Sequence, residues 1–117
     1  MIVGLGIDVV DLERFARTLE RTPALRERLF TEAERDLPAA SLAARFAAKE
    51  ATIKAFGGPV GGWHDVWVDR LESGQPQLKL EGAAAALAAE RGVSATHVSL
   101  SHDGPVATAI VILEAGA

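Results

Sequence analysis

Residues 2–10, Ile-Val-Gly-Leu-Gly-Ile-Asp-Val-Val, are an almost unbroken apolar run of strand length, which predicts a buried strand. Gly4 and Gly6 inside it predict a close approach by a ligand or by another backbone. The spacing then turns helical. Over residues 12–21, Leu12, Phe15, Ala16 and Leu19 share one side of a helix, while Arg14, Arg17 and Arg21 fall within about 60° of one another on the other. Asp11 is placed to cap it. Pro23 breaks the helix and can start a second short one, and Thr31 with Glu34 has capping-box spacing for another turn or two. Pro38 then precedes a long helix over 39–57 that stops at Gly57-Gly58-Pro59. A Gly61-Gly62 loop leads to Trp63-His64. Residues 65–72 and 77–81 read as strands joined at Ser73-Gly74-Gln75-Pro76. A helix to Arg91 is closed by Gly92, and 96–101 with 106–114 form a final hairpin turning at Asp103-Gly104-Pro105. One strand, a run of helices, then strand pairs flanking a helix predict an α+β fold rather than a doubly wound sheet. The chain, 1–117, is expected to be one domain.

The bulk numbers narrow the function. Hydrophobic residues make up 49% of the chain, much of it alanine, enough for a core and suited to close helix packing. The net charge of −4 excludes a general nucleic-acid binder, so a polyanionic ligand needs a local basic patch. With no cysteine, disulfides, thiolate metal sites and Cys nucleophiles are excluded. The apolar opening carries Asp8 and lacks a basic lead, unlike a signal peptide. No run approaches the roughly 18 uncharged apolar residues of a membrane span. The expected location is the cytoplasm.

The long helix holds the densest chemistry, Arg45-Phe-Ala-Ala-Lys49-Glu50-Ala-Thr-Ile-Lys54. Glu50 and Lys54 share a side, as do Arg45 and Lys49, but Arg45 and Lys54 lie on opposite sides at about 100° per residue. Charge spread around an alanine-rich rod predicts a helix packed on more than one side. Glu50 and Lys54 could form a structural ion pair. Together with Asp8 and the cations, Glu50 also suits a divalent metal bridging protein to phosphate, because Mg²⁺ takes one or two carboxylates and keeps phosphate oxygens and waters. Without a metal, a carboxylate about 5 Å from a phosphate charge costs roughly 3 kcal/mol at an effective dielectric near 20. Gly4-Leu5-Gly6 lacks the third glycine and the later acid of a dinucleotide fingerprint. His102 ends a strand and could contact a phosphate or hydroxyl. His97 has the opposite strand parity and His64 is isolated, so no histidine metal site is predicted. Arg14, Arg17 and Arg21, extended by Arg28, are either a solvated face or a docking stripe for an acidic partner. Trp63 and Trp67 are expected in core or interface.

Three stretches carry a family resemblance over essentially the whole chain. Gly4-Leu5-Gly6-Ile7-Asp8-Val9-Val10, Arg45-Phe46-Ala47-Ala48-Lys49-Glu50-Ala51 with Lys54, and His97-Val98-Ser99-Leu100-Ser101-His102 resemble, in order, the motifs of the holo-acyl-carrier-protein synthases, the small bacterial 4′-phosphopantetheinyl transferases. Asp65-Val66 and the Gly74-x-Pro76 turn fit the segment between them. The resemblance implies the 4′-phosphopantetheinyl transferase fold, an antiparallel sheet packed on a long helix, assembled as a homotrimer with each active site between two subunits. It implies transfer of 4′-phosphopantetheine from coenzyme A to a serine of apo acyl carrier protein, releasing adenosine 3′,5′-bisphosphate. Asp8 and Glu50 would hold Mg²⁺ on the diphosphate, and Lys54 would contact phosphate or the reacting groups. Arg45, Lys49 and His102 would surround the coenzyme's phosphates, with Gly74 and Pro76 near its adenine. Arg14, Arg17 and Arg21 would dock the carrier. Glu50 and a Mg²⁺-bound hydroxide are both candidates for accepting the serine proton. The competing reading is a non-catalytic module that binds coenzyme A or a carrier; retention of both carboxylates, which repel phosphate in the absence of metal, speaks against it.

Overall fold

Alternation decides the sheet. In the last strand Ala107, Ala109, Val111 and Leu113 are buried, while their neighbours in sequence are partly exposed. The computed structural model describes residues 1–116. Its elements in chain order are β1 (Ile2–Asp11), α1 (Leu12–Arg21), α2 (Leu25–Leu29), α3 (Ala39–Phe56), a 3₁₀ turn (Trp63–Asp65), β2 (Val66–Arg70), β3 (Pro76–Leu80), α4 (Gly82–Glu90), β4 (Val93–Asp103) and β5 (Val106–Ala115). Antiparallel pairing puts β5 between β1 and β4, and β2 with β3 makes a separate hairpin.

α3, 18 residues long, lies across β1 and β5. Gly4 and Gly6 are the reason it can. A Cβ on Gly6 would overlap the Ala51 carbonyl oxygen, and one on Gly4 would overlap that of Ala55. The glycines therefore serve a backbone approach by the helix, with fully buried Ala47 and Ala51 on the facing side. The other side of α3 receives a second cluster in which Leu42 and Ala43 meet Phe15 and Leu19 of α1 and Phe30. The helix ends at Gly57, which adopts φ +81° and donates to the Ile53 and Lys54 carbonyls. Asp11 caps α1, its Oδ1 accepting from Arg14 N at 2.8 Å.

Two expectations are corrected, and one holds in part. β1 is not buried on both faces: among the described residues it is an edge strand paired only with β5, and α3 covers one face. Val3, Leu5, Ile7 and Val9 on the other face are 47%, 59%, 57% and 59% exposed. Thr31 and Glu34 close a single turn, with Arg35 N donating to the Thr31 carbonyl at 3.0 Å, and open no longer helix. Thr31 N does reach Glu34 Oε1, but the Glu34 side chain enters the core. Asp65 belongs to the 3₁₀ turn rather than to a strand.

Gly6→Ala is expected to destabilise the chain by about 3 kcal/mol or more, the upper range for an overpacked core. Gly58→Ala, which meets no atom within 4 Å, should stay within about 0.5 kcal/mol of the parent. Urea denaturation of the two variants checks this pair.

Candidate active site

Two sides of α3 carry two different sites. On the first, the C-terminal half of β1 and the middle of α3 form one end of a cleft of about 610 Å³, walled by α1 and α2. Asp8 points toward α3 because it shares strand parity with Gly4 and Gly6, and it lines the cleft together with Glu50. Lys54, one turn beyond Glu50, donates to Asp8 Oδ1 at 3.0 Å and to the Ile7 carbonyl at 2.9 Å. The ion pair anticipated between Glu50 and Lys54 is thus made by Lys54 with Asp8 instead: the strand brings its carboxylate to the lysine. Burial pushes the Glu50 carboxyl up from its ordinary value, Asp8 pushes it further the same way, and Lys54 pulls back. That electrostatic coupling places residues 8 and 50, far apart in sequence, in one charged neighbourhood.

The remaining walls were only partly legible beforehand. Arg14 and Arg28 line the cleft, one from α1 and one from α2. Arg17 is paired with Glu13 at 2.7 Å on the exposed face, and Arg21 ends α1, also exposed. A row of aromatic rings forms the apolar wall. Phe46 stacks on Phe15 with centroids 5.4 Å apart and meets Trp63 at 5.6 Å. Phe46 lies four residues before Glu50, so helical spacing could have nominated it. Trp63 reaches the cleft only through the path of its loop, which leaves no periodic signal.

On another side of α3, a smaller hollow of about 260 Å³ is lined by Arg45, Arg70 and His102 with Ser41 and Ser101. Burial lowers the Arg45 pKa, and neighbouring Arg70 lowers it further against the pull of Glu34. Arg45 Nη1 approaches the Ser41 carbonyl at 3.5 Å, and its buried Nε lies 3.9 Å from Glu34 Oε2 with no hydrogen-bond partner among the described residues. Arg70, which the sequence reading missed, also donates to the Gly74 carbonyl at 3.0 Å, tying the Gly74–Pro76 turn to this hollow. Gly74 holds φ +89°, and Pro76 opens β3. His97 pairs with Glu114 at 2.8 Å on the sheet's exposed face, apart from His102 as strand parity predicts.

Lys49 requires a correction. It was expected beside the coenzyme's phosphates, but it is 1% exposed and its ammonium group meets Glu34 Oε1 at 3.0 Å, the Trp63 carbonyl at 3.0 Å and the Val66 carbonyl. The helical turn that aims Glu50 at the cleft aims residue 49 inward. Burial lowers the lysine's pKa, and Glu34 opposes the shift. Glu34 itself, read in sequence as a capping residue, is the acceptor around which this interior group is built.

The pattern of the 4′-phosphopantetheinyl transferase superfamily matches residues 4–111. The chain belongs to that family. The holo-[acyl-carrier-protein] synthase of Clavibacter michiganensis subsp. michiganensis is 58% identical over 118 residues, covering 100% of this chain and 99% of its own length. Among solved structures, the holo-[acyl-carrier-protein] synthase of Neisseria meningitidis superposes with a TM-score of 0.89 at 31% identity, covering 97% of this chain and 99% of its own. The Helicobacter pylori holo-[acyl-carrier-protein] synthase in complex with coenzyme A gives a TM-score of 0.83 at 25% identity, covering 94% and 99%.

A raised Glu50 pKa has a definite pH signature. As pH rises above the ordinary glutamate value of 4.5, the unfolded chain ionises first, so the native state loses stability until its own Glu50 ionises. In metal-free buffer Glu50→Gln should therefore match the parent below pH 4.5 and grow more stable than it as pH rises through that window. Thermal melts across the range are the check.

Proposed function

We propose that this chain transfers 4′-phosphopantetheine from coenzyme A to the serine hydroxyl of an apo acyl carrier protein, releasing adenosine 3′,5′-bisphosphate. The observation that carries the reading is the convergence of Asp8 and Glu50 in one cleft with Lys54 beside them. Residues 1–117 act as one catalytic unit, in the cytoplasm; no helix of the described residues is long and apolar enough to cross a membrane.

The donor set fits Mg²⁺. Burial and the Asp8 charge raise the proton affinity of Glu50, and a divalent cation between the two carboxylates would relieve that repulsion. Two carboxylates would leave coordination positions for phosphate oxygens and water, as Mg²⁺ requires. Bound between Asp8 and Glu50, Mg²⁺ would offset the charge of the coenzyme's diphosphate. Lys54, held beside Asp8, presents its cation toward the same oxygens. The serine oxygen bonds to the phosphorus that carries pantetheine as the diphosphate bridge breaks, and the bridging oxygen leaves on adenosine 3′,5′-bisphosphate. Glu50 is the chain's own candidate to take the serine proton. Such a transfer depends on positioning and charge compensation rather than covalent catalysis.

Arg45, Arg70 and His102 suit the phosphate groups of the coenzyme's adenosine end, with Gly74 and Pro76 at the base. Arg14, Arg17, Arg21 and Arg28 suit an acidic face of the carrier, since complementary patches steer encounter. The charged cleft and the cationic hollow lie on different sides of α3 in one chain. A homotrimer in which one subunit's hollow meets the next subunit's cleft would join them. The exposed apolar face of β1, continued by Ile110 and Ile112 of β5, is the surface such an assembly would bury.

Apo carrier incubated with coenzyme A and Mg²⁺ should gain the mass of phosphopantetheine, and should fail to gain it with a chelator present. Asp8→Asn and Glu50→Gln should each slow labelling about 100-fold or more with the fold retained. Coenzyme binding without turnover in the parent would leave a binding module and reject the transferase.

The assembly has its own check by light scattering. The parent should elute at three times the chain mass, and Ile7→Glu should shift it toward the single chain and abolish labelling.

A further inference from the structure

The interior charge group of Lys49 and Glu34 borders the cationic hollow through Arg45, whose Nε lies 3.9 Å from Glu34 Oε2, while the bonds of Lys49 lead to one wall of the cleft. The three N–H donors of Lys49 meet three acceptors, Glu34 Oε1 and the Trp63 and Val66 carbonyls, so the ammonium's donor capacity is filled. Glu34 is filled as well: Oε1 also accepts from Thr31 N at 3.2 Å and Thr31 Oγ1 at 3.3 Å, and Oε2 accepts from Val68 N at 3.2 Å. Lys49 and Glu34 are each 1% exposed. A buried pair of this kind adds little net stability over apolar side chains of similar volume, so what distinguishes it is the geometry it imposes.

That geometry is specific. The two carbonyls held by Lys49 bracket the 3₁₀ turn Trp63–Asp65. The Trp63 ring, carried by the first of these anchored residues, lies 5.6 Å from Phe46, and both rings line the cleft that contains Asp8 and Glu50. On the far side of the turn, His64 Nε2 meets the Glu27 carbonyl of α2 at 2.6 Å, so the turn also braces the helix that bears Arg28.

We propose that Lys49, held by Glu34, is a positioning residue that fixes the Trp63 wall of the transfer cleft and contacts no phosphate. This rests on the reading of the cleft as the transfer site. Released from Lys49, the turn is free to shift, and a displacement of about 1 Å at a cleft wall costs up to roughly 100-fold in rate.

The test uses a Trp67→Phe background, in which Trp63 is the sole tryptophan. Lys49→Met removes the ammonium and leaves the Glu34 carboxylate opposite the buried Arg45, its other cation, 3.9 Å away. The expected result is Trp63 emission moved to longer wavelength with an unchanged far-ultraviolet spectrum. The accompanying kcat should fall about 10- to 100-fold, by the same factor with coenzyme A and with 3′-dephospho-coenzyme A. Unshifted emission overturns the proposal. So does a loss confined to coenzyme A or expressed as its KM, which would mark Lys49 as a phosphate contact. A Lys49→Met chain that fails to fold also overturns it, since Lys49 would then be holding the whole core rather than one wall. Should the Trp67→Phe parent itself label no carrier, the transferase reading fails, while the emission measurement still decides the positioning claim.

Discussion

Backbone-to-backbone contact between α3 and β1 governs where every charged group of the cleft can stand. Gly4 and Gly6 let the helix carbonyls of Ala55 and Ala51 sit where a side chain would otherwise be. On the helix, alanines at 47, 51 and 55 keep the facing surface equally shallow. Two elements this close leave no room for a long side chain between them, so Asp8 and Glu50, at the border of the contact, project into the cleft. Lys54 is then within hydrogen-bond reach of Asp8. Close packing of this kind tolerates little volume change, which ties the geometry of the carboxylates to the integrity of the seam.

α3 is charged on several sides because it faces several environments. Asp8, Glu50 and Lys54 share a partly open cleft; Arg45 borders a cationic hollow; Lys49 is spent in the interior. Each charge has a distinct compensation. Lys54 and Asp8 compensate each other at the surface. Lys49 and Glu34 do so in the core with backbone carbonyls completing the set. Glu50 and Arg45 are the incompletely satisfied ones: the first has its carboxyl pushed up, and the second has a buried Nε 3.9 Å from Glu34 that makes no hydrogen bond among the described residues. Groups left in that condition are where a ligand of opposite charge gains most.

Much of this was legible in the sequence, and the misses share a cause. Element order, the Asp11 cap and the stop at Gly57 follow from local spacing and turn chemistry, and the structure has them within a residue or two. The charge spread around residues 45–54 correctly announced a helix packed on more than one side. What failed depended on long-range partners. Strand β1 is apolar enough to be buried twice over, and no local signal says that only one face is covered. Lys49 and Glu50 are adjacent letters in one motif, and only the direction of the helix toward β2 sends the first inward. Glu34 has capping-box spacing, yet its carboxylate is claimed by Lys49 and Val68, 15 and 34 residues on. Arg70 is unremarkable in sequence and acquires its place only when the β2–β3 hairpin meets α3.

The central claim is that Asp8 and Glu50 share one electrostatic neighbourhood across the α3–β1 seam. Carboxyl-carbon NMR titration of Glu50 in the parent and in Asp8→Asn tests it most directly. Removing the Asp8 charge should lower the Glu50 pKa and leave only the part of its elevation that burial causes. A Glu50 that titrates identically in both proteins would mean that the two carboxylates do not sense each other, and the shared site would be lost with them.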